Sequence, residues 1–327
     1  MKETPAILLI GAGRWGMNHL RAWMKLQAAG LCRLVGVQDS DADRRDEVAK
    51  EYGIKTFADD SGLAQADAVD IVVPTYAHFE VAKKALSAGK DVMVEKPVTM
   101  TLAEARELEA LKKKTDRVFL VGHLFRYNPA ADYARKLIVE GEIGKVRFLR
   151  GRFMGFRFQE HDAGILATTA IHFLYLSDFF MGRPADSVWA KTEHMLGNKL
   201  DDLALIRLGY DAQFSIVESD YFTPGKWRTF DIIGTQGSIA VDLLNQRLEL
   251  HRKRHVRTGE RFEAYDGGVI RPEITFQEPL ELELRHFLKC VGDRSEPMTP
   301  ISDGRDAVAV VEAAYQSAET GKTVRLN

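Results

Sequence analysis

A glycine-rich segment directly after a short apolar run is the feature that most restricts how this chain can fold. Residues 6–10 are continuously apolar, as expected of a strand that is buried on both faces. Gly11, Gly13 and Gly16 follow at GxGxxG spacing and lead into a helical pattern. Glycines at this spacing permit a tight turn and a close approach of the backbone to a pyrophosphate, which the N-terminus of the helix then binds. The segment therefore predicts a dinucleotide-binding strand, turn and helix.

An acidic residue after the second predicted strand indicates which dinucleotide is bound. Residues 34–37 form that strand, and Asp39 lies where the adenosine ribose is normally held. A carboxylate there accepts hydrogen bonds from the 2′- and 3′-hydroxyls and repels a 2′-phosphate. Arg44 on the next helix could offset the repulsion, although a helix-surface role also explains it. We therefore expect NAD as the cofactor.

The order of strands and helices predicts the fold class and two domains. Through residue 123, apolar strands alternate with helices, which implies right-handed crossovers and a parallel Rossmann sheet. Beyond that residue, strand-like segments between 187 and 250 are joined by turn signals, which suits an antiparallel sheet. We predict an α/β chain with a Rossmann domain at 1–123 and a second α/β domain at 124–327.

Composition argues against several other classes of protein. The chain has 327 residues with a net charge of −2, so a nucleic-acid partner or a polybasic membrane anchor is not expected. Its two cysteines are far apart and lack metal-ligand spacing, so neither a disulfide framework nor a metal site is expected. The first strand-like run begins at residue 6, which leaves no room for a signal peptide, and residues 163–176 are too short and polar to span a bilayer. We expect a cytoplasmic protein.

A lysine between a buried strand and a proline is a candidate catalytic residue. Residues 92–97 read Val-Met-Val-Glu-Lys-Pro, which places Lys96 at the carboxyl end of a predicted parallel strand. Ligands of open α/β sheets bind in the crevice at that end. Pro97 fixes the turn, and the bond before it is a candidate for the cis form. A surface position is the ordinary alternative for a lysine, but the strand and the proline are not typical of a surface.

At this point the sequence resembles the Gfo/Idh/MocA family of sugar and cyclitol dehydrogenases. The resemblance covers essentially the whole chain and rests on residues 11–16, 74–78, 85–90, 95–97, 121–129 and 141–145. It implies that the second domain contains a large open sheet, which in relatives commonly forms a dimer or tetramer interface. It also implies that Lys96 contacts both substrate and nicotinamide. We therefore expect a homodimer or homotetramer that associates through the C-terminal sheet.

The second catalytic motif of the family is only partly present. That motif has an Asp, then a His four positions later, and usually another Asp three positions beyond. Here His172 is kept, while Thr168 and Tyr175 replace the two acids. His172 could be a core histidine, but within this motif we expect it to face the substrate as a general base. Without the acidic partner, Lys96 could carry more of the proton chemistry, or Tyr175 could take part.

The segment at 221–242 resembles the branch of the family that acts on nucleotide-linked sugars. A diphosphate needs basic partners, and Arg126, Arg152, Arg157, Lys226 and Arg228 are candidates, since arginine forks match phosphate oxygens. We expect oxidation of UDP-N-acetylglucosamine at its 3-hydroxyl to a 3-keto sugar. A dehydrogenase of a free sugar or cyclitol is the first alternative. A non-catalytic NAD- and sugar-sensing protein on the same fold is the second.

The predicted site falls into three sets of residues. The catalytic residues are Lys96 and His172. The cofactor-binding residues are Gly11, Gly13, Arg14, Trp15, Gly16, Asp39, Pro74, Thr75, His78, Glu95, Lys96, Pro97 and Arg126. The substrate-binding residues are Lys96, Arg126, Tyr127, Asn128, Arg152, Arg157, Thr168, His172, Tyr175 and Lys226.

Overall fold

The computed structural model describes residues 4–157 and 163–326, and the chain forms two compact units. The first consists of Met1–His123 and Leu280–Val308, and the second of Leu124–Pro279 and Ala309–Asn327. Leu280–Val308 belongs to the first unit, whereas the sequence analysis assigned it to the second domain.

A parallel sheet of six strands forms the centre of the first unit in the described residues. The strands are β1 (Ala6–Ile10), β2 (Arg33–Gln38), β3 (Thr56–Phe57), β4 (Ala68–Ile71), β5 (Asp91–Glu95) and β6 (Phe119–Gly122), in the order β3-β2-β1-β4-β5-β6. The helices are α1 (Arg14–Ala28), α2 (Ala42–Tyr52), α3 (Thr75–Ser87) and α4 (Leu102–Lys112). The strand order reverses between β1 and β4, and ligands of such sheets bind at the carboxyl ends of strands at this point. The predicted Rossmann fold is confirmed.

Local sequence explains where these helices begin. The Asp41 side chain accepts hydrogen bonds from the first N–H groups of α2, which ends at Gly53 in the left-handed conformation. Thr101 and Glu104 form a capping box at the start of α4. Each cap satisfies backbone groups that the helix itself leaves unpaired, so the ends of α2 and α4 are set by their own residues.

The second unit is built on a sheet of nine strands, counted over the described residues. They are β7 (Val146–Gly155), β8 (Ser187–Glu193), β9 (Leu203–Tyr210), β10 (Gln213–Asp220), β11 (Lys226–Gly234), β12 (Ser238–Asp242), β13 (Arg247–Thr258), β14 (Arg261–Ile270) and β15 (Val324–Arg325). Their order is β14-β13-β12-β11-β7-β10-β9-β8-β15. Neighbours are antiparallel except for β7 and β10. This architecture confirms the predicted mostly antiparallel sheet.

One face of this sheet packs against α5 (Pro129–Val139) and α6 (Ile171–Met181). Phe173 of α6 stacks on Phe230 of β11, and a Cβ atom on Gly151 of β7 would lie 2.7 Å from both rings. Side chains alternate along a strand, so neighbouring positions on β7 point to the opposite face. There Phe148 stacks on Phe214, with ring centroids 5.3 Å apart.

The returning segment contains α7 (Pro279–Asp293) and the start of α8 (Ile301–Thr320). One nitrogen of Arg294 lies 2.7 Å from both carboxylate oxygens of Asp91, the first residue of β5. The Val121 N–H of β6 donates to the Thr299 carbonyl. Ile301 packs in the core beneath the parallel sheet. These contacts explain why the segment belongs to the first unit. The periodicity of the sequence does not predict them.

The described residues contain neither a candidate membrane span nor a candidate metal cluster. No helix there is long and apolar enough to cross a membrane. Within 4–157 and 163–326, no group of three or more His, Cys, Asp and Glu side chains is arranged to hold a metal ion.

Candidate functional site

The turn after β1 requires glycine at two positions. Gly11 has a φ of +104°, and a Cβ atom there would lie 2.4 Å from the Val72 carbonyl oxygen. A Cβ atom on Gly16 would lie 2.1 Å from the carbonyl oxygen of Gly11. Both distances are impossible contacts, so only glycine lets the turn fold this tightly between β1 and α1. The result brings the start of α1 to the carboxyl end of the sheet.

The N-terminus of α1 has the features of a pyrophosphate site. Gly13 precedes the helix and makes no side-chain cap, and the first turn contains no acidic residue. Arg14 and Trp15 are the first residues of the helix. A Cβ atom on Gly13 would find its nearest neighbour 3.9 Å away, at the Arg44 guanidinium, so this side of the turn is open. The first N–H groups of a helix have no partner within the helix, and together with the helix dipole they suit an anion at this position.

Asp39 is held by backbone groups on both of its oxygen atoms. Oδ2 accepts the Ala12 N–H at 2.7 Å and Oδ1 accepts the Asp41 N–H at 2.9 Å. Each carboxylate oxygen has a second lone pair for a ribose hydroxyl. The Arg44 guanidinium lies 3.9 Å from Oδ2 and is half-exposed. Together with the glycine turn, this carboxylate fits an adenine dinucleotide with free ribose hydroxyls.

His78 joins the two loops that follow β4 and β5. Its Nδ1 lies 2.7 Å from the Pro97 carbonyl oxygen and its Nε2 lies 2.9 Å from that of Val73. Burial lowers the pKa of this imidazole. Pro74 directly precedes α3, which begins at Thr75, and the Lys96–Pro97 peptide bond is cis. The ring of His78 thus connects the predicted cofactor loops, and contact with a cofactor stays a prediction for these residues.

Glu95 is fixed at three points directly before Lys96. Its Oε1 accepts hydrogen bonds from Trp15 Nε1 at 2.8 Å and lies 3.2 Å from His19 Nε2. Its Oε2 accepts the backbone N–H of Lys96 at 3.1 Å. The structure therefore brings together three residues of the predicted cofactor set, Trp15, Glu95 and Lys96. It adds His19, which the sequence reasoning missed.

His19 belongs to a buried cluster that went unnoticed in the sequence. Its Nδ1 lies 2.7 Å from Asp70 Oδ2, which also accepts Trp23 Nε1 at 2.7 Å. Glu283 of α7 is fully buried, and its pKa is raised by burial and by the nearby Glu95 charge. Asp70 interrupts the otherwise apolar strand β4. A charged residue in a buried strand needs partners, so the presence of Asp70 in β4 is the sequence signal that could have revealed the cluster.

In the second unit, His172 lies between aromatic rings. Its ring centroid is 5.1 Å from that of Phe125, edge-on, and 5.8 Å from that of Phe153, nearly parallel. The preceding turn, Leu166–Ala170, is a π-helix that leads directly into α6. Asp201 anchors this turn, because its Oδ2 accepts the Leu166 N–H at 2.8 Å. π-helical turns are frequent at functional sites.

The residues that replace the two family acids lie on either side of His172 in the π-helical turn and in α6. Thr168 lies in the π-helical turn and its hydroxyl donates to the Gly164 carbonyl at 2.9 Å. Tyr175 lies half-buried on α6. Thr169, which directly follows Thr168, accepts a hydrogen bond from Arg157 Nη2 at 2.8 Å. The turn therefore brings Arg157 close to the His172 segment.

Three predicted substrate residues at 126–128 make structural contacts. Arg126 forms an ion pair with Asp132 and lies over the Phe179 ring at 4.1 Å. Tyr127 is buried. Asn128 caps α5, accepting the Ala130 N–H, and its Nδ2 donates to the Leu243 carbonyl at 2.9 Å. These side chains stabilise the start of α5, and substrate contact stays a prediction for them.

The predicted basic residues of the sheet lie on two different faces. Arg152 forms an ion pair with Asp231 at 2.7 Å, on the face opposite to Phe153 and His172. Arg157 and Arg228 lie over the Phe153 ring, at 5.5 Å and 3.5 Å from its centroid. Burial and the Arg157 charge lower the pKa of Arg228 to about 9. Lys226 is exposed at the start of β11. The structure thus brings Arg157 together with His172 but not Arg152.

Family models match most of this chain. A model described as an oxidoreductase family, NAD-binding Rossmann fold, matches residues 6–123, and the model of its C-terminal alpha/beta domain matches residues 135–326. The chain belongs to the Gfo/Idh/MocA oxidoreductase family. The first unit of this Gfo/Idh/MocA protein is therefore an NAD-binding Rossmann fold, and the predicted family, enzyme class and cofactor are confirmed.

Curated relatives within the Gfo/Idh/MocA family differ in substrate. The scyllo-inositol 2-dehydrogenase (NAD(+)) of Bacillus subtilis (strain 168) is 30% identical over 100% of this chain and 98% of the relative. The UDP-N-acetylglucosamine 3-dehydrogenase of Acidithiobacillus ferrooxidans is 34% identical, but over only 52% of this chain and 54% of the relative. A solved levoglucosan dehydrogenase, in complex with NADH and levoglucosan, superposes with a TM-score of 0.85 at 22% identity, over 99% of each chain.

Proposed function

We propose that this enzyme oxidises a secondary hydroxyl group of a free cyclic polyol, a sugar or a cyclitol, and transfers the hydride to NAD. The observation that carries the choice of substrate is the pairing of Arg126 with Asp132 and of Arg152 with Asp231. The first pair neutralises one arginine that was assigned to a diphosphate, and the second holds Arg152 on the sheet face opposite to His172. The similarity to scyllo-inositol 2-dehydrogenase over the full length supports the same choice.

The cofactor residues of the first unit have defined roles in this proposal. Gly13 and the start of α1 would hold the pyrophosphate, and Asp39 the adenosine ribose. When bound, NAD supplies the acceptor for the hydride. Asp39 favours NAD over NADP, because its carboxylate would repel a 2′-phosphate.

We assign proton transfer to Lys96 and orientation of the substrate hydroxyl to His172. Glu95 fixes the backbone at Lys96, and Lys96 Nζ is proposed to accept the hydroxyl proton as the hydride departs. The rings of Phe125 and Phe153 fix the plane of the His172 imidazole, which suits a hydrogen-bonding role. Positioning of this kind is a major source of rate in enzymes.

A second candidate substrate is UDP-N-acetylglucosamine, oxidised at its 3-hydroxyl. Arg157 and Arg228 share the Phe153 ring close to His172, and two adjacent guanidinium groups suit an anionic substrate group. The partial similarity to UDP-N-acetylglucosamine 3-dehydrogenase points in the same direction.

A substrate panel with NAD separates these candidates. The purified protein would be assayed for NADH formation with scyllo-inositol, myo-inositol, glucose, levoglucosan and UDP-N-acetylglucosamine. We expect turnover of at least one free polyol and little with the UDP-sugar. Turnover confined to the UDP-sugar would establish the second candidate. NAD binding without turnover of any sugar would favour the sensing protein.

We also propose that copies of the chain associate through the open face of the nine-stranded sheet. Along the strand register, Trp189 lies on the same face as Arg207 and Arg150, and Leu205 on the same face as Arg152. Trp189 is 36% exposed and Leu205 is 41% exposed. Exposed apolar side chains on one sheet face support a homodimer or homotetramer.

A further inference from the structure

Four ionisable side chains from four elements of the first unit form one buried cluster. They are His19 of α1, Asp70 of β4, Glu95 of β5 and Glu283 of α7. Three of them are completely buried and Glu95 is 5% exposed. Burying charge is unfavourable unless each charge has a partner. Apart from Glu95, none of these residues has a role in the proposed reaction, so the cluster needs an explanation.

His19 lies between two carboxylates. Nδ1 is 2.7 Å from Asp70 Oδ2, and Nε2 is 3.2 Å from Glu95 Oε1. A neutral imidazole has a single N–H and can donate to only one of them, whereas the imidazolium can donate to both. Burial by itself would lower the pKa of His19, but the charges and hydrogen bonds of Asp70 and Glu95 outweigh it and raise the pKa to about 10. His19 is therefore a buried cation at neutral pH.

The His19 charge helps to keep Glu95 ionised, together with Lys96 and Trp15. Burial would raise the pKa of Glu95, but the His19 hydrogen bond and charge, with a contribution from the Lys96 charge, lower it to about 2. Glu95 Oε1 lies next to His19 Nε2, and Oε2 of the same carboxylate accepts the Lys96 N–H. A Cβ atom on Gly122 of β6 would lie 3.1 Å from this carboxyl group, so the absence of a side chain on Gly122 leaves room for the Glu95 carboxylate.

We propose that His19 is a positioning residue for Lys96 and acts through Glu95. It holds the Glu95 carboxylate against the Lys96 peptide, and it partly neutralises the negative charge beside the Lys96 ammonium. The inference rests on the proposed function, in which Lys96 Nζ accepts the substrate proton. Its consequence is that the pH at which Lys96 becomes a base depends on a histidine that does not itself contact the reacting atoms.

The ionisable groups around His19 determine the net charge of the buried cluster. Asp70 faces it from β4 and Glu95 from β5, while Glu283 of α7 stays protonated because burial and the Glu95 charge raise its pKa. His123, after β6, stays neutral because burial lowers its pKa to about 3. Trp15 and Trp23, on α1 itself, donate to the two carboxylates. The cations of His19 and Lys96 thus match the anions of Asp70 and Glu95.

The test is His19→Gln in the NAD-bound enzyme. Glutamine keeps a hydrogen-bond donor but loses the charge. Trp15 Nε1, the Lys96 N–H and the Lys96 charge still favour the Glu95 anion, which then attracts the Lys96 proton more strongly. We expect the lower limb of the pH profile of kcat/KM to move to higher pH by about half a unit or more, and kcat at neutral pH to fall about tenfold or more. The affinity for NAD should stay within about threefold, because the substitution leaves Gly13 and Asp39, the proposed pyrophosphate and ribose residues, unchanged.

A second readout does not depend on turnover. Reductive methylation with a ¹³C label followed by NMR titration measures the pKa of Lys96 directly, with Lys96→Arg to assign its signal. His19→Gln should raise this pKa in the protein. The matched control is Trp23→Phe, which removes a hydrogen bond to Asp70 in the same cluster and should lower stability without moving either titration.

Specific outcomes would overturn the inference. An unchanged or lower Lys96 pKa in folded His19→Gln would refute it, even if Lys96→Ala abolishes turnover and the proposed function stands. If His19→Gln does not fold, Gly122→Ala perturbs the Glu95 carboxyl group from β6 and should reduce kcat while NAD still binds. Full kcat in that variant would also refute it. Lack of turnover in the wild type with every sugar would instead refute the proposed function.

Discussion

At Lys96 the backbone is held by Glu95, which accepts its N–H, and the next peptide bond is cis. Lys96→Ala leaves these features in place and removes the amine. We expect NAD affinity to change little and kcat to fall by about 10² to 10⁴, the usual contribution of a general base. Cofactor titration by fluorescence and an NADH assay measure the two effects.

A matched control for Lys96→Ala is Lys83→Ala, which removes an exposed lysine that pairs with Glu107 on the surface. It should behave as the wild type does. Substantial residual turnover in Lys96→Ala would show that another group takes the proton.

Asp39 permits a test of the choice of cofactor. Asp39→Ala removes the acceptor for the ribose hydroxyls and leaves Arg44, whose guanidinium is 3.9 Å away, free to meet a 2′-phosphate. We expect the Kd for NAD to rise about 10- to 100-fold, as for loss of hydrogen bonds to a charged group, and the Kd for NADP to change much less. Calorimetric titration of both cofactors, with Asp43→Ala on the exposed start of α2 as control, makes the comparison. Equal losses for NAD and NADP would contradict the assignment.

On the scale of elements, α7 carries a side chain that opposes folding at neutral pH. The pKa of Glu283 is raised in the folded protein. At pH values between the ordinary pKa and the raised pKa, Glu283 is therefore ionised in the unfolded chain but still protonated in the folded chain. Stability is therefore lost as the pH rises above about 4.5. Glu283→Gln cannot ionise and should be more stable than the wild type at pH 8 by about 1 kcal/mol or more, with a smaller gap near pH 4.5.

Urea denaturation at the two pH values measures this gap. Glu281→Gln, the same substitution two positions earlier, lies on the partly exposed side of α7 where Glu281 pairs with Arg285, and it serves as control. Its stability relative to the wild type should not increase with pH. A pH-independent difference for Glu283→Gln would mean that this carboxyl group is not held neutral.

Some elements of the site follow from sequence and others do not, for physical reasons. The glycine turn, Asp39 and Lys96 are local: each works through its position relative to one strand, so spacing alone reveals them. Arg152 was assigned to the substrate, but a strand alternates its side chains, and only the sheet shows which face Arg152 shares with Asp231. Glu283 lies 188 positions beyond Glu95 by their residue numbers, and nothing local in an amphipathic helix distinguishes its buried acid.

The whole molecule is expected to associate through the open face of its second sheet. Trp189→Glu places a charge among exposed apolar side chains on that face and should weaken the assembly by at least about tenfold in Kd. Light scattering after size-exclusion chromatography, over a dilution series, reports the mass. Val139→Glu changes an equally apolar residue, 69% exposed on α5, and should leave the mass unchanged. A wild-type mass of one chain at all concentrations would exclude the proposed homo-oligomer.

The return of Leu280–Val308 to the first unit has a consequence for anyone who wishes to recombine this protein with its relatives. The nucleotide-binding half is not a contiguous piece of gene, because Arg294 holds Asp91 and Ile301 fills the core beneath the sheet. A chimera joined once, after residue 123, would combine the sheet of one parent with the closing helices of the other. Grafts should therefore exchange both segments together, and a fragment that stops at residue 123 should not fold by itself.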